Sequence, residues 1–191
     1  MVEQVTKVAG MFSNFTFKIL HVNRLLKIHD HVLMYYVEAI ASFNKPKKLI
    51  EDAIKKPGCL EDFHPFCYSN KVLSWPGNNS EDELIYLSGV RYKRRFFNWT
   101  ENGYDLEIGG SKRKSIVNWI IKGDDNHSSL RVRINIDLLY KNRLINWLAW
   151  NLYIKFMIQS YINHVVRGFK FFIDTGNKVH SNQFGKHRWF S

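Results

Sequence analysis

The chain has 191 residues, 45% of them apolar and 15% aromatic, enough to close a core, which excludes an intrinsically disordered chain. Two cysteines exclude a disulfide framework and point to a reducing, cytoplasmic setting. The formal charge of +11 is uneven: from Lys141 onward eight Lys or Arg face a single acid, Asp174, so that stretch alone carries +7.

The opening stretch MVEQVTKVAGMFSNFTFKIL holds an early acid and no long apolar run before a small-residue cleavage site, so no secretory signal is expected. Residues 1–30 read as an N-terminal extension, within which NFTFKILHVNRLLKI suits a helix or a strand equally. From His31, HVLMYYVEAIASF is rich in β-branched and aromatic residues and predicts a strand. NKPKKLIEDAI predicts a short helix, with Asn44 as its cap, Pro46 in its first turn and Leu49, Ile50 and Ile54 behind it. Lys55-Lys56-Pro57-Gly58 breaks that helix, and CLEDFHPF adds another short helical turn.

A long β region follows. YSNKVLSW ends at the turn cluster Pro76-Gly77-Asn78-Asn79. DELIYLSGVRYK and then RRFFNWTE lead to Asn102-Gly103, a strong hairpin signal, with YDLEIGG as the return strand. KSIVNWIIK runs to the turn Gly123-Asp124-Asp125-Asn126. LRVRINIDLLY then alternates cleanly: Val132, Ile134, Ile136 and Leu138 share one face, and Arg131, Arg133, Asn135 and Asp137 the other. Past Lys141 the period becomes helical over 142–173. Trp147, Trp150, Ile154, Met157, Ile158, Tyr161, Val165 and Phe172 form an apolar stripe opposite Asn151, Lys155, Gln159, Asn163, Arg167 and Lys170. The polar row excludes a membrane span and predicts an amphipathic helix lying on something apolar.

The expected class is therefore α+β: one strand, two short helices, six antiparallel strands and a long helix. This order over residues 31–175 resembles the helix-grip fold of the SRPBCC superfamily, which includes START lipid-transfer domains, pollen-allergen-like proteins and polyketide cyclase/dehydrase-type proteins. AIASFNKPKKLIEDAI is similar to the first strand and helix of that fold, LEDFHPF to its second short helix, and SIVNW to its penultimate strand. The resemblance implies a curved seven-stranded sheet around the C-terminal helix, with a cavity between them for an apolar or amphipathic small molecule. A lipid, an isoprenoid or a polyketide-like compound would each fit. It does not imply one activity, because function resides in sites rather than folds.

Phe63, His64, Phe66, Val117, Trp119, Trp147, Trp150, Ile154, Met157 and Tyr161 are expected to line that cavity, with Tyr161 Oη or Trp150 Nε1 as a polar handle. His64 and Glu38 are the candidate acid–base residues for the alternative of a cyclase/dehydratase-type enzyme. Arg94 and Arg95 face opposite ways on a strand, so one of them could anchor a ligand carboxylate, although solvated charges are the plainer expectation. Cys59 and Cys67 flank His64 but have neither zinc-site spacing nor an evident orienting group for a Cys–His nucleophile, so no metal and no cofactor are expected. The plainer reading is a lid, in which Leu60, Phe63 and Phe66 plug one end of the grip and His64 caps a carbonyl or faces the mouth.

Residues 176–191 are expected to be a basic, unstructured tail. Its end, His187-Arg188-Trp189-Phe190, suits an anionic membrane surface, which gives the further alternative of a peripheral interaction module. Tyr92-Lys93-Arg94-Arg95-Phe96-Phe97 mixes basic and aromatic residues, but without any recognisable motif nucleic acid is not an expected partner.

Overall fold

A computed structural model of the protein describes residues 35–110, 114–136 and 142–191. The expected extension at 1–30, the head of the first strand at His31, and Asp137, Leu138 and Lys141 lie outside the described residues. The elements run β1 (Tyr35–Phe43), α1 (Lys47–Lys55), α2 (Leu60–Phe63), β2 (Cys67–Ser74), β3 (Glu81–Tyr86), β4 (Arg91–Thr100), β5 (Gly103–Gly109), β6 (Lys114–Gly123), β7 (Ser128–Ile136), α3 (Arg143–Ala149), a π turn (Trp150–Ile154) and α4 (Lys155–Thr175).

All seven strands form one antiparallel sheet in the order β1-β7-β6-β5-β4-β3-β2, so only the step from β1 to β7 leaves chain order. Period-two alternation assigns the faces. Tyr35, Val37, Ala41 and Phe43 of β1, Leu106 of β5, Val117, Trp119 and Ile121 of β6, and Leu130, Val132 and Ile134 of β7 are buried on the inner face. The outer face carries Asp105, Asn118 and Asn135, linked by side-chain hydrogen bonds of 2.7 Å from Asn118 to Asp105 and from Asn135 to Asn118. The Asn102-Gly103 hairpin joins β4 to β5 as expected: Gly103 has φ +123, and a Cβ there would lie 1.9 Å from the Trp119 carbonyl oxygen.

Four local expectations need correction. The strand boundary expected near Lys93-Arg94 falls at Leu87–Val90, because Gly89, with φ +82, closes that turn and leaves the basic-aromatic run inside β4. Asn44 does not cap α1. The residue ahead of that helix is Pro46, no side chain caps it, and the Lys47 amide instead donates to Asp124 O at 2.8 Å, tying α1 to the β6–β7 turn. The long helix is interrupted: the π turn adds a residue, with the Lys155 amide bonded to Trp150 O. That extra residue rotates the preceding turn, so Asn146, Ala149 and Trp150 face inward while Trp147 is 50% exposed.

The fourth correction concerns 176–191, which is not a free tail. Gly176 ends α4 with φ +73, and the chain doubles back along α2. Val179 N donates to Asp62 O at 2.9 Å and Asn182 N to Pro65 O at 2.8 Å, and Lys178 pairs with Asp62 at 2.8 Å. His187, Trp189 and Phe190 are buried. Burial of these aromatic rings, with Phe190 on Tyr86 and Tyr161, holds the strap in place.

The central contact of α4 is Phe169, whose ring meets Phe63 at 4.9 Å, Phe43 at 5.7 Å and Trp119 at 6.5 Å. Gly168 allows it, because a Cβ there would lie 2.2 Å from Phe63 O. Helix propensity alone would favour Gly168→Ala by about 1 kcal/mol. We expect the reverse, a loss of about 1–3 kcal/mol in chemical denaturation, as α2 is pushed off α4.

Candidate functional site

Inside the grip, two polar clusters interrupt an aromatic core. The first centres on His64, which α2 delivers and Pro65 holds in an extended conformation (φ −89, ψ 111). His64 is buried rather than at an open mouth. Its Nδ1 accepts the Phe66 amide proton at 3.2 Å. A neutral imidazole then carries its proton on Nε2, which donates to Tyr161 Oη at 3.0 Å. Tyr161 Oη lies 3.0 Å from Tyr86 Oη, and either hydroxyl can donate. The result is a His64–Tyr161–Tyr86 chain joining α2, α4 and β3.

Burial, reinforced by the Arg94 charge, lowers the His64 pKa from 6.5 to about 3, so the ring is neutral at pH 7. Burial also raises Tyr86 and Tyr161 above the ordinary phenol range, which keeps both hydroxyls protonated. Cys59 and Cys67 are free thiols raised to about 12 by burial, and both nitrogens of His64 are already bonded elsewhere. No thiolate–imidazole pair forms through His64.

The second cluster lies at the other end of β3, where it pairs with β4. Arg94 of β4 and Asp82 of β3 are directly opposite in register, and both point inward, with side-chain exposures of 4% and 1%. Arg94 Nε donates to Asp82 Oδ1 at 2.7 Å, and Arg94 Nη2 bonds Asp82 Oδ2 to complete a two-point pair. Burial alone would lower the Arg94 pKa, but Asp82 more than offsets it and the net direction is upward. Asn70 of β2 completes the group, with its Oδ1 3.4 Å from Arg94 Nη2. Its Nδ2 is buried with no hydrogen-bond partner among the described residues. Solvated charge, the plainer expectation, holds for Arg95 but not for Arg94.

Of the expected lining residues, Phe63, His64, Phe66, Val117, Trp119, Trp150 and Ile154 are buried, and Met157 and Tyr161 are partly so. Trp147 is the exception, turned outward by the π turn. Glu38 is not interior either. It lies on the outer face of β1, where its carboxylate pairs with the facing Arg133 at 2.8 Å, and this removes it as an acid–base candidate. The strap places Phe190 on Tyr86 at 4.4 Å and on Tyr161 at 4.6 Å, with His187 5.5 Å from Phe66, so α2 is a covered layer rather than the outermost lid. Trp189 and Phe190 are therefore spent on this packing and do not face a membrane.

Sequence reasoning missed Tyr86, Asp82 and Asn70. The alternation of β3, with Asp82, Leu84 and Tyr86 on one face, was the available signal for two of them. Among the described residues no group of three or more His, Cys, Asp or Glu is placed to hold a metal ion, and no helix is long and apolar enough to cross a membrane.

Two results are expected from these clusters. Asp82→Asn leaves the Arg94 charge buried without its counter-ion and should cost about 3–5 kcal/mol in chemical denaturation, whereas Asp82→Leu with Arg94→Met should recover much of it. The depressed His64 pKa means that the unfolded chain takes up a proton below 6.5 while the folded chain does not until about 3, so stability falls as pH falls through that window. Burial lowers His187 as well, which adds in the same direction. Asp62 is also lowered: burial would raise it, but Lys178 and Lys56 outweigh that, so it adds a loss only below the ordinary carboxylate value of 3.8. Unfolding free energies measured between about pH 6 and about pH 4.5 should therefore slope downward with acid, and His64→Gln should flatten the slope.

No protein-family model matches the chain, and no curated protein does. Its fold does match solved structures. DynU16, a putative protein from the dynemicin biosynthetic locus, superposes with a TM-score of 0.57 at 10% identity over 75% of this chain, which spans 48% of that protein. Ara h 8.0201 matches with a TM-score of 0.52 at 12% identity, covering 74% of this chain and 99% of that one. The Zhui aromatase/cyclase from Streptomyces sp. R1128 matches with a TM-score of 0.55 at 10% identity, covering 76% and 99%. The curved antiparallel sheet, the two short helices after its first strand and the long C-terminal helix are thus the helix-grip fold that these structures share.

Proposed function

We propose that the protein binds an apolar or amphipathic small molecule between the sheet and α4, with one hydrogen-bond acceptor of the ligand held by Asn70 beside Arg94. The observation that carries this reading is the Asn70 Nδ2 group, buried and without a partner among the described residues, next to a satisfied ion pair. A buried donor left unpaired costs about 1–3 kcal/mol, and a ligand carbonyl or carboxylate oxygen would remove that cost. The surrounding aromatic lining would contribute roughly 25 cal/mol per Å² of apolar surface removed from water. The fold shared with an aromatase/cyclase supports the same broad ligand class. Lipid, isoprenoid and polyketide-like molecules all have this chemistry.

A second reading, a cyclase/dehydratase-type enzyme acting on a polyketide-like substrate in the same interior, draws support from the His64–Tyr161–Tyr86 chain, in which both phenols are protonated. Binding is favoured over catalysis because a histidine at about 3 is a poor base near neutral pH.

Native mass spectrometry of the purified chain, followed by denaturing extraction, should give a reproducible apolar adduct. Titration with an amphipathic acid such as decanoate should show saturable binding that Asn70→Ala weakens about ten-fold, while binding of the matched alkane is unchanged. Absence of an adduct together with no saturable binding of either probe would refute the proposal. Equal weakening of both probes by Asn70→Ala would remove Asn70 as the anchor.

A further inference from the structure

The chain carries the aromatic-cationic combination suited to an anionic interface at a second place, on the solvent side of its C-terminal helix. Leu152 is 60% exposed, Phe156 64% and Trp147 50%, three large apolar side chains within about three turns of one helical segment. The π turn creates this face. It rotates Trp147 out of the core and leaves Leu152 and Phe156 outward while Trp150 and Ile154 stay buried.

Basic residues frame the patch from two parts of the chain. Arg143 and Lys155 come from the helix and are exposed. Lys186 and Arg188 come from the strap, also exposed, and two contacts of the strap bring them alongside the same stretch of helix. His187 Nε2 donates to Met157 O at 3.0 Å, and Trp189 packs on Tyr153 at 5.8 Å. None of these four cations forms a salt bridge with a described residue. From Asn142 to Ser191 the only acid is Asp174, at the far end of α4 and paired with Lys170 at 2.9 Å.

We infer that this face, Trp147, Leu152 and Phe156 ringed by Arg143, Lys155, Lys186 and Arg188, docks the protein on an anionic lipid surface. The apolar side chains would enter the headgroup boundary while the cations meet lipid phosphates and carboxylates. The charge complementarity distinguishes this occupant from a second copy of the chain, which would bring four like charges against four. The buried ends of the strap serve the surface indirectly, by holding Lys186 and Arg188 in place.

The test is co-sedimentation of the full chain with vesicles of phosphatidylcholine alone and of phosphatidylcholine with phosphatidylserine at roughly 7:3. Binding to the anionic vesicles and not to the neutral ones is expected, with partitioning reduced about ten-fold by Leu152→Ser/Phe156→Ser and by Lys186→Glu/Arg188→Glu. All four positions are exposed, and an unchanged thermal midpoint confirms that the variants are folded. The inference is overturned if the anionic vesicles are not bound. It is overturned equally if Leu152→Ser/Phe156→Ser binds as tightly as the parent, since net charge alone would then account for binding. A dimer in sedimentation velocity that this variant abolishes would assign the face to a second copy instead.

Discussion

The Phe169 ring is the point on which the fold turns. It is fully buried and touches one aromatic from each of three elements: Phe43 on the first strand, Phe63 on the second short helix and Trp119 on the sixth strand. A curved sheet wrapped on a single helix has few places where layers can interlock, so this contact sets how deeply α4 sits. Its neighbour Gly168 allows the helix to approach the backbone of α2 where any side chain would hold it off. The position of α2, and with it that of His64, follows from this approach.

The strap of residues 176–191 packs on α2 and on the end of β3, with Phe190 O accepting from Ser88 N at 3.3 Å. Its Phe190 packs on Tyr86 and Tyr161, so the polar chain beginning at His64 is covered by the strap. Burial then sets the chemistry. The imidazole loses its affinity for a proton and the phenols keep theirs, which makes this a hydrogen-bonding site rather than a charged one.

The charged pair in the same interior follows different logic. Desolvating Arg94 and Asp82 is costly, and a hydrophobic pair of similar volume would stabilise the fold at least as well. Two-point geometry offsets part of that cost, and Asn70 adds a donor that no described residue satisfies. An unpaired polar group in an apolar interior costs folding free energy, which is why the proposed ligand contact is placed at Asn70.

The strands and their faces were legible in the sequence because period-two alternation records burial directly. Val117, Trp119 and Ile121 lie inward, and Asp105 and Asn118 outward, as that alternation requires. The Asn102-Gly103 turn was legible because its backbone conformation favours glycine. The order of elements was enough to indicate the helix-grip fold. Only the tertiary structure decided that Arg94 is buried, since alternation places a side chain on a face but cannot reveal a counter-ion on the neighbouring strand. Trp147 was misplaced because helical periodicity assumes an unbroken register, and one π turn shifts every residue before it. The last residues read as a tail because their pattern has no period. They are ordered by aromatic contacts with residues distant in the chain, and such contacts leave no local signature.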